Sequence, residues 1–579
     1  MRWTVSFGHD RTSQPRIWDR PSLPTRVVGA FQRASSWPAV WYSAAALVLI
    51  YVWDGRFLLT HKMGIWDWDK ESYGFEFLKS ALNEGSVVPL SFLTIPHDIA
   101  TYPALFQSTS YWANPEVLTL SPFMVLLPWT SVPVFVKLVF FGHLVVAAVG
   151  MFLVGKRLGL RTIATAFLFV LLILNPWLLQ HLAIGYTPWM TICYVPLVVA
   201  SLLRPTTIRW FVTGTLADGL VLYEGGLHIF LWLNATIVLI AVALAAVRRS
   251  ASHMRPVWLI LLGTAILALP KLIAIHGAYG NWHRPIDSSY ADAHDLWGLL
   301  TDTKTNVYEL PRAYDVYGTH VYDGAMFTGK VFLGTLAVLV ALLAWRTLSG
   351  RRADARVADT WALLSVAALW LVLGWDGVWR GLTHVVGALG FEIYPFRFLE
   401  ITVFICIAFV VIELDRLSRI DARLGLVGLG VAIAISVAFL NRNGDFSKFA
   451  TSMPYAPPVW HPERFLNDTI TAEPRGSGTS VKPAVDHSLK RVSIDPLGSK
   501  ADLRLGWLPV EHLHDFTMQN ARVIERDGLG STVAVEDAYG AIVIAPRAYH
   551  RLILFFVTIL AYGVLLGVLW GYRPRASSG

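Results

Sequence analysis

The chain has 579 residues, of which 55% are hydrophobic and only 15% charged, with a mean hydropathy of +0.50. A water-soluble protein of this length would need several domains and far more charge to cover them, which excludes that class. The net charge of +8 sits in short basic clusters between apolar runs, a pattern that points to a lipid bilayer as partner and to no nucleic acid.

Residues 1–37 carry Arg2, Arg11, Arg16, Arg20, Arg26 and Arg33 without the apolar core of a signal peptide, and read as a cytoplasmic basic segment. Apolar runs then follow at about 38–53, 132–155, 162–179, 187–203, 208–223, 226–247, 256–276, 329–345, 359–375, 398–414, 423–440 and 549–571. A hydrocarbon core ~30 Å thick takes about 20 residues of helix to cross, so the fold class is an all-α polytopic membrane protein with about twelve transmembrane helices. Charge supports the count. Arg157 and Arg161, Arg204 and Arg209, Arg248 and Arg255, Arg346 and Arg356, and Arg416 and Arg423 fall in alternate connections, on the side shared with the N-terminus and with the tail 572–579. The piece from Val117 to Trp129, interrupted by Pro122 and Pro128, is too short to span and reads as interfacial or re-entrant.

Within the transmembrane domain 38–440, two outer segments are large: a first loop over 54–116 and a second over 277–328. Residues 441–548 alternate in short runs such as Arg491-Val492-Ser493-Ile494, the pattern of a small, mostly β extracytoplasmic module tethered by the last span at 549–571. Cys193 and Cys406 lie far apart in apolar runs and read as small core residues.

Chemistry concentrates at the outer ends of the spans. In Gly64-Ile65-Trp66-Asp67-Trp68-Asp69 two carboxylates stand two residues apart, and in extended backbone they would share one face and one ligand. A solvated acidic loop would look the same. Tyr223-Glu224-Gly225-Gly226-Leu227-His228 places an acid where two spans meet, with glycines suited to a tight turn or a close backbone approach. Lys271 and His276 end the span 256–276 towards the same side. Arg397, flanked by Pro395, Phe396 and Phe398, begins another span on the side where positive charge is disfavoured, and a guanidinium suits bidentate phosphate binding. His181 and Tyr186 close one span, and His97, Asp98 and Arg380 are weaker candidates. The inner halves of the spans read as apolar, which counts against a transporter.

Asp67-Trp68-Asp69, Asn114-Pro115-Glu116, Leu120-Ser121-Pro122, His181 with Gly185, Glu224-Gly225-Gly226-Leu227-His228, Pro270-Lys271-Leu272 and Pro395-Phe396-Arg397-Phe398-Leu399 occur in this order. Together, over about residues 40–440, they resemble YfhO-like bacterial membrane proteins within the GT-C superfamily of membrane glycosyltransferases. The resemblance implies a GT-C-like fold in the bacterial cytoplasmic membrane. It also implies an extracytoplasmic active site and a polyprenyl-phosphate-linked sugar donor. Transfer would go, with inversion, to an envelope glycan, lipid or protein acceptor. It makes Asp67 or Asp69 the general base, gives the donor phosphate to Arg397 with Lys271, and the sugar or acceptor to Glu224, His228, His181 and Tyr186. A divalent cation, Mg or Mn, is a candidate cofactor at Asp67 and Asp69. The first loop has Ile95-Pro96-His97-Asp98-Ile99-Ala100 where the family carries a Gly-rich stretch, and Tyr186 stands where a second His is common. Two other classes compete: a transporter or flippase of a lipid-linked glycan, and a non-catalytic envelope-assembly protein.

Overall fold

The computed structural model describes scattered residues of 61–79 and 116–120, then 121–203, 207–251, 254–279, 290 and 292–301, 327–349, 355–378 and 397–450, strand-bearing pieces between 453 and 546, and 549–571. Helices dominate: α1 (Val132–Leu158), α2 (Thr162–Leu172), α3 (Pro176–Ala183), α4 (Val195–Leu203), α5 (Ile208–Tyr223), α6 (Leu227–Arg248), α7 (Met254–Tyr279), α8 (Ala293–Thr301), α9 (Gly329–Leu348), α10 (Ala355–Leu373), α11 (Phe398–Ile420), α12 (Ala422–Ala450) and α13 (Tyr549–Gly571). Two 3₁₀ helices, Pro122–Trp129 and Thr187–Tyr194, precede α1 and α4.

Among the described residues, seven stretches are long and apolar enough to cross a membrane: Val132–Leu158, Thr162–Ala183, Leu227–Arg248, Met254–His276, Gly329–Leu348, Arg356–Leu373 and Arg423–Asn441. The other expected spans differ for identifiable reasons. Residues 38–53 lie outside the described set. Thr187–Leu203 and Val557–Leu569 are apolar but short. Helix α5 has 16 residues, and α11, at 23 residues, carries Glu400, Glu413 and Asp415. The stretch 162–183 is two helices because Pro176 brings no N–H to continue α2; Asn175 caps α3 instead, its Oδ1 accepting from Trp177 N–H at 2.9 Å.

Around the enclosed α2–α3 pair, α1 packs on α2 and α4, α4 on α5, and α5 on α7. Helix α11 packs on α2, α10 and α12, while α12 also covers α3 and α13 lies on α5 and α7. Helix α7 shows how a bilayer sorts one helix by face. Leu262, Ile266, Leu269 and Ile273, at helical spacing, are 50–66% exposed, whereas Thr264, Leu267 and Lys271 are buried on the bundle side.

One end of the bundle is tied by ion pairs. Arg161, at the N-cap of α2, donates from Nε to Asp415 Oδ1 at 2.7 Å, and Arg419 holds the other oxygen of Asp415 at 2.6 Å. Arg416 pairs with Glu413 at 2.6 Å, and Arg248 on α6 pairs with Asp359 on α10. Residues that charge alternation assigned to a common side therefore meet at a common end.

Past α12 the chain turns to strands. β1 (Lys62–Met63) pairs antiparallel with β2 (Met453–Pro454), joining the first loop to the chain that leaves α12. β3 (Ala472–Pro474), β4 (Pro483–Asp486), β5 (Arg491–Ile494), β6 (Leu503–Leu505), β7 (Phe516–Gln519), β8 (Ala521–Asp527), β9 (Gly530–Val535) and β10 (Ile542–Pro546) follow. They form two four-stranded antiparallel sheets, ordered β4-β5-β10-β7 and β3-β6-β9-β8. In the segment 277–328 Asp292 caps α8. Backbone N–H groups of Asp295 and His294 reach its carboxylate at 2.9 and 2.7 Å and hold it below the usual range.

Candidate functional site

Helices α3 and α5 stop in the same way. Gly185 and Gly225 each adopt φ 93°, a left-handed backbone that costs glycine nothing. In each stop an N–H reaches back five residues: Tyr186 N–H to His181 C=O at 2.8 Å, and Gly226 N–H to Val221 C=O at 2.9 Å. His181 is thereby set in the last turn of α3 and Glu224 at the cap of α5. The 3₁₀ helix Thr187–Tyr194 touches both ends, and at ~2 Å per residue it is about 14 Å long.

Its first residues face an aromatic cluster. The His181 ring lies 4.8 Å from Trp177, 4.9 Å from Trp189 and 5.8 Å from Tyr186. Arg397, at the start of α11 and only 7% exposed, places its guanidinium carbon 4.8 Å from the centre of the Trp189 ring. A cation over an indole face in a desolvated site is held by the ring quadrupole. His181 Nδ1–H donates to Trp177 C=O at 2.8 Å, which fixes the orientation of the ring.

The first loop is seated on this cluster. A Cβ at Gly64 would lie 1.9 Å from the Ala183 carbonyl oxygen, so the loop backbone rests directly on the end of α3. Trp68 is buried nearby, and Glu71 Oε2 accepts from Thr187 Oγ1 at 2.8 Å. Tyr455 donates to Glu76 at 2.8 Å; burial and that carboxylate push its phenol above the usual range. Lys79 donates to Thr130 C=O at 2.7 Å.

At the far end of the 3₁₀ helix, Tyr194 donates to Glu224 Oε1 at 2.9 Å, while Glu224 Oε2 meets His143 Nε2 at 2.5 Å. His143 Nδ1–H already donates to Val139 C=O at 2.8 Å. The contact between Nε2 and the carboxylate thus needs one further proton, shared by the imidazole and the carboxyl group. Gly226 presses on the same helix, since a Cβ there would lie 2.2 Å from Thr191 Oγ1.

The structure gathers Arg397, His181 and Tyr186 at one cluster and Glu224 at the other. His228 does not join Glu224: its Nε2 stands 4.0 Å from Glu116, at a more exposed rim. Lys271 is fully buried on α7, where its backbone adjoins the Tyr223 hydroxyl. Asp67, Asp69, His97, Asp98 and Arg380 lie outside the described residues. Trp68, between the two aspartates, is helical, whereas a shared face for Asp67 and Asp69 rested on extended backbone there. Among the described residues no group of three or more His, Cys, Asp or Glu is placed to hold a metal ion.

Sequence reasoning passed over His143, Tyr194, Trp189 and Glu71. Only His143, a lone histidine inside an apolar helix, left a signal. Polar groups are not confined to the span ends: Asp218 on α5, Asn234 on α6 and Thr264 on α7 form a polar group inside the bundle, because three packed helices turn those positions towards one another. Comparison with protein families, with characterised proteins and with solved structures gives no match for this chain.

Proposed function

We propose that this chain is a membrane glycosyltransferase. It moves a sugar from a polyprenyl-phosphate carrier to an envelope glycan, lipid or protein on the extracytoplasmic face of a bacterial cytoplasmic membrane. The observation that carries the reading is Arg397, a desolvated guanidinium over Trp189 beside His181, with the acidic first loop seated on the same short helix through Glu71 and Thr187. A phosphate leaving group needs such a cation, and low dielectric strengthens the attraction. In this reading Asp67 or Asp69 takes the proton of the acceptor hydroxyl, whose oxygen attacks the anomeric carbon. The bond from that carbon to the phosphate oxygen breaks with inversion, and Arg397 receives the charge released. Were a divalent cation used, Asp67 and Asp69 would hold it. The span near 38–53, the stretch Thr187–Leu203 and the helices α5, α11 and α13 complete about twelve crossings. The two sheets of 441–548 form the outer module.

A second reading, transport of a lipid-linked glycan, draws on the polar interior at Asp218 and Asn234. Mass spectrometry of lipid-linked sugars and envelope glycans separates the two, using cells that carry the wild-type chain, Arg397→Gln, or Asp67→Asn with Asp69→Asn. Transfer predicts accumulated polyprenyl-phosphate sugar and an acceptor short of one residue in both variants. Complete glycan retained on its carrier would favour transport. Unchanged glycans at normal protein levels would sink both.

A further inference from the structure

Asp218 lies six residues before Glu224 on α5, about 9 Å further into the bundle, and is wholly buried. A carboxylate at such a depth must be neutralised. The groups that act on it are themselves neutral: Asn234 and Thr264. Asn234 Nδ2 donates both to Asp218 Oδ1 at 3.2 Å and to Phe230 C=O at 2.8 Å, which fixes the amide and assigns its oxygen as the remaining acceptor. Thr264 faces the carboxylate from α7, close enough to act on it. Thr215 stands one turn before Asp218 on the same face of α5, against α7, since a Cβ at Gly263 would lie 2.8 Å from its Oγ1. Tyr562 closes the group from α13; a Cβ at Gly219 would meet its hydroxyl at 2.9 Å.

Asp218 Oδ2, Asn234 Oδ1, Thr264 Oγ1 and Thr215 Oγ1 are thus four buried oxygens, on three packed helices, without a hydrogen-bond partner among the described residues. We propose that they form a binding site for a monovalent alkali cation of sodium's size. Hard oxygen donors without nitrogen or sulfur select such ions over transition metals. One carboxylate balances one positive charge, whereas a divalent ion would leave an excess charge in the bilayer. The site is separate from the sugar-transfer reading and does not depend on it.

The test is thermal unfolding of the purified full-length chain in detergent, followed by tryptophan fluorescence in sodium, potassium or choline chloride at equal ionic strength. Sodium should raise the unfolding temperature saturably, by about 5 °C at a hundredfold excess over Kd. The rise should be absent in Asp218→Asn and smaller in Thr264→Val, a nearly isosteric change that keeps the carboxylate. Equal unfolding temperatures in the three salts, or a sodium effect that survives in both variants, would overturn the site. So would an infrared carbonyl band of a protonated carboxyl group that Asp218→Asn abolishes and sodium leaves unchanged, since a proton would then occupy the place assigned to the ion.

Discussion

His143 and Glu224 are 81 residues apart in sequence, and each would be a liability in the bilayer alone. Together they hold one proton between Nε2 and Oε2, and Tyr194 satisfies the second carboxyl oxygen. Removing one partner of such a buried pair leaves the other exposed to the full cost of desolvation. Glu224→Ala should therefore lose about 3 kcal/mol of stability. Glu224→Gln, which can still donate to Nε2 and accept from Tyr194, should lose much less. Denaturation midpoints of the two variants in detergent check this, and equal losses would mean that the hydrogen bonds of a neutral amide do not replace the shared proton. Glu224, Arg397 and His181 were legible from sequence because each is a polar residue at a span end with a glycine or proline within four positions. Their partners were not: Tyr194 and Trp189 look like ordinary belt aromatics, and only folding brings Tyr194 to a carboxylate 30 residues on.

At the scale of elements, hydropathy alone located most helices, since a bilayer demands about 20 apolar residues per crossing. It failed where another effect prevailed. Pro176 with its Asn175 cap splits one expected span into α2 and α3, and the first loop is organised by contacts that no periodicity encodes. Gly64 is the clearest of these, since its backbone rests against Ala183 with no room for a side chain. Gly64→Ala should unseat the first loop, and protease sites within 54–116 should be cut several-fold faster. Gly334→Ala on α9, where a Cβ would meet nothing within 4 Å, should leave the cleavage rate unchanged. Equal rates for Gly64→Ala and wild type would mean that the loop is held without that contact.

Across the whole molecule, the bundle is fastened differently at its two ends. Ion pairs join α2, α6, α10 and α11 at one end, where the sequence concentrates arginine. At the other, the link between distant parts of the chain is backbone: β1 pairs with β2, and Tyr455 N–H donates to His61 C=O at 3.0 Å. This link holds the acidic first loop to the chain that leads into the two sheets, so the sheets and the candidate site share an anchor. Sequence could not show it, because strands of two residues leave no alternation to read. Lys62 and Pro454 are direct antiparallel partners, and such Cα atoms stand roughly 4.5–5.5 Å apart, within the span of a disulfide. The double variant Lys62→Cys, Pro454→Cys should therefore oxidise readily to an intramolecular crosslink. Cleavage engineered between 454 and the last span would then leave both fragments joined until reduction. Lys62→Cys paired with Ala472→Cys, a β3 position bonded to β6 instead, should not crosslink. Native Cys193 and Cys406 are both free and lie in helical segments of the bundle, away from the new pair. Failure of the first pair to oxidise would show that the first loop and the sheets are not held together by this ladder.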